Sequence, residues 1–180
     1  MVDVKKLLIE RGNERYDEVV TQLEHALQCA ALARRERADD EVVLAALLHD
    51  IGHLIERAQP ASEQPARHHG HWGAGLVRPF VSPRVAWLIE HHVLAKRYLC
   101  TVDPLYERGL SPASTRSLAK QGGRLTDDET ARLEAEPWFD DAVRIREWDE
   151  HAKDPSLVVA PLEAYADLLE RHFGSPSPPR

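Results

Sequence analysis

The stretch Val42-Val-Leu-Ala-Ala-Leu-Leu-His49-Asp50-Ile-Gly-His53-Leu-Ile55 decides the fold. Its first seven residues are all apolar, and a helix apolar nearly all round belongs in the middle of a bundle. Asp39 and Asp40 are cap-type residues just before it, so the spacing predicts a helix from Val42 to about Ile55. Into that buried segment the sequence sets His49, Asp50 and His53. On a continuous helix His49 and His53 share a face at i, i+4, with Asp50 about 100° around the axis. Desolvating an unpaired His and Asp costs on the order of several kcal/mol, so something must compensate them. A cation is the simplest compensator; a hydrogen-bonded His–Asp pair is the plainer one.

The rest of the chain also reads as helix. Residues 16–37 place Val19, Val20, Leu23, Leu27, Ala30, Ala31 and Ala33 on one stripe, leaving Glu24, Gln28 and Arg34 for the surface. Residues 58–66 carry two prolines and no periodicity, which predicts a mobile loop. Ser82-Pro83 opens a helix to about Leu99, and Ser111-Pro112 opens another that Gly122-Gly123 stops. Thr126-Asp-Asp-Glu129 is a capping box, and helices are expected over Trp138–His151 and Pro161–Phe173. No segment has the alternation of a strand. The expectation is one all-α domain over residues 1–173, followed by a frayed Pro/Ser-rich tail at 174–180.

Composition narrows the function. The 180 residues hold 23 Lys plus Arg against 30 Asp plus Glu, a net charge of −7, which argues against nucleic acid as a partner. No apolar run approaches the ~20 residues of a membrane span, and the N-terminus does not read as a signal peptide. Two cysteines, Cys29 and Cys100, make no disulfide framework, so the cytoplasm is the expected compartment and both are expected to pack as small hydrophobes. Ten histidines are left to explain.

They fall in suggestive places. His25 lies on the interior stripe of its helix, His91-His92 within the helix after Ser82-Pro83, and Asp149 near the end of a later helix. His68, His69 and His71 cluster before Gly73-Ala74. Imidazoles and carboxylates converging from several helices are how a bundle holds one or two transition metals. Lys96 shares a helix face with His92 at i+4, and Arg146 shares one with Asp149 at i+3. Ser114, Ser117 and Gln121 form a polar stripe at i, i+3, i+7. Cations and hydroxyls beside a metal suit a phosphonate or phosphate dianion.

The pattern His25, His49-Asp50, Asp149 resembles the HD-domain superfamily of metal enzymes. More specifically, Gln-Leu-Glu-His25, Leu-Leu-His-Asp-Ile-Gly-His53, Gly73-Ala74, His92-Val-Leu-Ala-Lys-Arg-Tyr-Leu99, Ser111-Pro-Ala-Ser114, Gln121-Gly-Gly123 and Arg146-Glu-Trp-Asp149 followed by Ala152-Lys-Asp-Pro155 resemble the HD-domain phosphonate oxygenases, of the 2-amino-1-hydroxyethylphosphonate oxygenase type. The resemblance runs from about Tyr16 to about Pro155. It implies a helical bundle around a mixed-valent Fe(II)/Fe(III) pair using O2. His25, His49, His69 and His92 would be the histidine ligands, Asp50 the bridge and Asp149 the remaining ligand. His69 is taken over His68 and His71 because it stands four residues before Gly73. Gly70 occupies the position where an acidic residue is expected.

The resemblance further implies phosphonate recognition by His53, Lys96, Ser114, Ser117, Gln121 and Arg146. Tyr16 would be a gating residue that occupies the metal until substrate arrives. Glu18 would hold an ammonium group on the substrate, although Tyr16-Asp-Glu18 is one residue shorter than the expected spacing. The implied reaction is O2-dependent C–P cleavage of a small 1-hydroxyphosphonate, of the 2-amino- or 2-trimethylammonio-1-hydroxyethylphosphonate type, to a carboxylic acid and phosphate. The protein would work as a monomer or small homo-oligomer. The alternative is a metal-dependent phosphohydrolase acting on a phosphate monoester or nucleotide. A degenerate, non-enzymatic HD domain ranks last, because no ligand position is visibly lost.

Overall fold

A computed structural model of the protein describes residues 3–15, 19–56 and 68–173. Tyr16, Glu18, the loop expected at 58–66 and the tail at 174–180 lie outside the described residues. All regular structure among the described residues is helical. The helices are α1 (Val4–Arg11), α2 (Gln22–Arg35), α3 (Asp40–Leu48), α4 (His53–Glu56), α5 (His69–Val77) and α6 (Pro83–Val102), then α7 (Pro104–Gly109), α8 (Pro112–Lys120), α9 (Asp127–Glu134), α10 (Phe139–His151) and α11 (Ala166–Phe173). A 3-10 turn over Leu162–Tyr165 leads into α11. No helix among the described residues is long and apolar enough to cross a membrane.

Caps set most boundaries. Ser82, Ser111 and Thr126 each accept a backbone N–H three residues on, and proline stands at the start of α6 and α8. The stripe over 16–37 overreached: α2 begins only at Gln22. Thr21 and Glu24 form a reciprocal capping box there, while Val19 is exposed.

The helix expected over 42–55 is a more informative correction. α3 ends at Leu48, and residues 49–52 turn through three-residue hydrogen bonds such as Ile51 N–H to Leu48 O and His53 N–H to Asp50 O. Apolar continuity hid this break, because both sides of it are buried. Gly52 explains why the turn sits here: a Cβ on it would lie 1.8 Å from the carbonyl oxygen of His69. The missing side chain lets α5 dock against the turn.

α3 is the central helix, with Val42 through Leu48 all buried. It packs between α2 and α6, and α6 in turn carries α5 and α10. Along α6 the buried positions Val85, Leu88, Ile89, His92, Lys96 and Leu99 follow helical spacing, so one stripe runs from hydrocarbon core into polar site.

Candidate metal centre

The six residues read as ligands come together. The imidazoles of His25 and His49 face each other with Nε2 atoms 3.2 Å apart, and those of His69 and His92 with Nε2 atoms 2.9 Å apart. Asp50 lies between the two pairs. Its Oδ2 is 3.6 Å from Nε2 of both His25 and His49, while its Oδ1 is 3.1 Å from His69 Nε2 and 3.5 Å from His92 Nε2. Asp149 joins the first pair, 3.3 Å from His25 and 3.8 Å from His49. The break after Leu48 makes this possible: it turns Asp50 into the cluster instead of leaving it around the side of a helix. His53 is not a face-mate of His49 but stacks on His69, ring centroids 3.9 Å apart.

The far side of three rings is fixed by backbone. Nδ1 of His25 meets the carbonyl of Ala152 at 2.8 Å, that of His49 the carbonyl of Ala46 at 2.9 Å, and that of His92 the carbonyl of Ile89 at 2.7 Å. A carbonyl can only accept, so each Nδ1 carries a proton and Nε2 is the nitrogen turned inward. The inward nitrogens of His25 and His49, 3.2 Å apart, need a proton or a metal cation between them. Imidazole nitrogens oriented by carbonyl partners, with a carboxylate across the gap, are the donor set of a transition metal.

The electrostatics agree. Burial lowers the His49 pKa to about 4 and pushes His69 well down, so both rings are neutral near pH 7. Burial opposes ionisation of Asp50 and Asp149, but His49 with His69, and Arg146 with His25, outweigh it and hold both carboxyls well below the usual range. For His25, burial disfavours charge, yet Asp149 and Asp50 raise its pKa overall. The site draws positive charge to itself.

Cys29 needs a correction of emphasis. It is buried as expected, but its sulfur also lies within 4.8 Å of ligand atoms of His25 and His49. Burial, with Asp149 and Asp50 nearby, pushes the thiol well up and keeps it protonated. Thiolate is the ligating form, so Asp149 is the better donor to this half of the cluster.

A cavity of about 390 Å³ opens on the cluster. His53, Lys96, Ser114, Ser117, Gln121 and Arg146 all line it. Lys96 is buried, donating to Ser117 Oγ at 2.5 Å and Gln121 Oε1 at 3.1 Å. Burial, then the Arg146 charge, lowers its pKa to about 8.

Arg146 is more heavily engaged than its spacing suggested. Its guanidinium pairs with Asp149 and Glu150, donates from Nε to Tyr106 Oη at 2.6 Å, and reaches Ser114 Oγ at 3.5 Å. Sequence reasoning missed Glu150 and Tyr106. Glu150 has a legible signal, at i+4 from Arg146; Tyr106 on α7 has none. Gln28, expected at the surface, is buried, with its amide paired to the backbone of Asp154.

The HD-domain family profile matches residues 23–136, which include every histidine of the cluster. The chain belongs to the HD-domain family. Among its relatives is a hydroxymethylphosphonate dioxygenase of Gimesia maris, 45% identical over 168 residues, covering 92% of this chain and 84% of the relative. A [1-hydroxy-2-(trimethylamino)ethyl]phosphonate dioxygenase (glycine-betaine-forming) of Leisingera caerulea is 35% identical over 172 residues, covering 92% and 88%. An uncharacterised protein of Acanthamoeba polyphaga mimivirus is 33% identical over 162 residues, covering 88% and 74%. The chain is thus an enzyme of the phosphonate oxygenase branch, an oxidoreductase, which favours the oxygenase reading over the hydrolytic one.

Proposed function

We propose that this enzyme uses two irons and O2 to cleave the C–P bond of a small 1-hydroxyphosphonate, with hydroxymethylphosphonate as the preferred substrate. The observation that carries the reading is Asp50, one oxygen toward each histidine pair, at the floor of a cavity walled by cations. His25, His49 and Asp149 would hold one iron, His69 and His92 the other, and Asp50 both. When bound, the iron pair supplies activation of O2 and oxidation at C1.

The rest is the work of the chain. Lys96, Ser114, Ser117 and Gln121 bind the phosphonate oxygens, so that the hydroxyl carbon lies over the metal end of the cavity. Arg146 fixes the Asp149 carboxylate and presents positive charge to the same dianion. The carbonyls of Ala152, Ala46 and Ile89 hold a proton on Nδ1 of His25, His49 and His92, which leaves Nε2 as the nitrogen offered to the metal. For hydroxymethylphosphonate and O2 the balanced products are formate, phosphate and a proton. Both oxygen atoms are consumed, and no external reductant is required.

The relative of Gimesia maris, 45% identical, is named for hydroxymethylphosphonate, which supports an unsubstituted carbon. Among the described residues lining the cavity, Arg15, Lys96, Arg116, Lys120, Arg146 and Lys153 are cationic, and the only carboxylates are Asp50 and Asp149 of the cluster. These cations suit a dianion. Anaerobically iron-loaded enzyme, given hydroxymethylphosphonate and then O2, is expected to release one formate and one phosphate per O2 consumed. Phosphate release from nucleotide monophosphates without O2 would instead establish the hydrolase.

A further inference from the structure

The structure also contains a cavity lysine to which neither the spacing nor the relatives' names give a task. The geometry points to Lys153 as a further phosphonate-binding residue, held in place by a backbone strap that α2 pins from behind; this rests on the phosphonate reading above. Lys153 follows the end of α10, and its side chain is only 13% exposed. It lines the same cavity as Lys96 and Arg146, donating to Ser114 Oγ at 3.0 Å and Glu150 Oε2 at 3.1 Å.

The strap is built on both sides of it. The Ala152 carbonyl accepts from Nδ1 of His25 at 2.8 Å. The buried amide of Gln28 donates to the Asp154 carbonyl at 2.7 Å and accepts from the Asp154 N–H at 3.2 Å. The Asp154 carboxylate then closes the turn on Ser156, 2.8 Å from its N–H and 2.6 Å from its hydroxyl. His25 and Gln28 are neighbours on one face of α2, so that face fixes the residues before and after Lys153.

Charge says what the lysine is for. Lys96, Arg146 and Lys153 face the cavity, while Glu150 is the one described carboxylate shared by Arg146 and Lys153 outside the histidine cluster. Three cations against Glu150 and Asp149 leave this described wall positive, and a dianion is the complementary guest. A lysine needed only as a partner for Glu150 would not require two anchors to α2.

The test measures binding, without turnover. Calorimetry of methylphosphonate with anaerobic, iron-loaded enzyme is expected to give a Kd about 10-fold or more weaker for Lys153→Met, at unchanged iron content, with a shallower salt dependence. Lys153→Arg should stay within about threefold of the natural enzyme, and Gln28→Leu, which keeps the lysine but loosens its strap, should weaken binding about threefold. If Lys153→Met is depleted in iron, Gln28→Leu decides alone. Natural affinity in both Lys153→Met and Gln28→Leu, with Lys96→Met impaired, would overturn the assignment alone. Failure of the natural enzyme to bind methylphosphonate would overturn the phosphonate reading and this assignment with it.

Discussion

The two ends of the cavity solve opposite problems. At the histidine end, rings turn their Nε2 atoms toward one another, and backbone carbonyls hold them there. That end suits a metal cation. At the cradle end, Lys96, Arg146 and Lys153 are already answered by Ser117, Gln121, Tyr106, Ser114, Asp149 and Glu150. It is complete without a guest. Damage to the first should abolish the centre outright, whereas damage to the second should be graded, because neighbouring donors share the work.

The largest expected effect tests the first half of that contrast. Asp50→Ala removes the carboxylate common to both histidine pairs; iron analysis should show the pair lost and activity down by about 10³-fold or more. Retention of both irons would break the contrast. Next, Lys96→Met should lower kcat/KM by about 10²-fold, the scale of one or two charge-assisted hydrogen bonds, while iron content stays natural.

The pH profile sharpens the same point. Burial lowers the Lys96 pKa to about 8, so its charge is present below that pH and lost above it. As a result kcat/KM should fall by up to about tenfold per unit above pH 8, and Lys96→Arg should flatten this limb. A decline that persists in Lys96→Arg would assign it to another group. The smallest effect is expected at Tyr106→Phe, which deprives Arg146 Nε of its acceptor; a loss of about three- to tenfold, mostly in KM, should appear in steady-state kinetics.

The contrast also explains what could be read in the sequence. Caps are local, so Ser82-Pro83, Ser111-Pro112 and Thr126-x-x-Glu129 announced their helices, and the apolar run before His49 announced the centre of the bundle. The neighbouring box Thr21-x-x-Glu24 was just as local, but a hydrophobic stripe continuing through Val19 and Val20 masked it. The break after Leu48 was not legible, since it depends on the His69 carbonyl approaching Gly52.

At the site, single histidines are ambiguous, and spacing alone left His68, His69 and His71 undecided. The structure turns His69 toward His92 and Asp50, whereas His71 faces Glu90 at 3.0 Å. Cradle residues on one helix face, such as His92 with Lys96, could be paired from spacing. Gln28 and Tyr106 could not, because their partners lie on other helices or beyond a helix end.

The most direct test of this account is to count and characterise the metal in anaerobically purified protein. We expect two irons per chain and an electron paramagnetic resonance signal from a coupled Fe(II)/Fe(III) pair that shifts when hydroxymethylphosphonate is added. One metal per chain, or an iron-free protein that hydrolyses phosphate esters without O2, would contradict it.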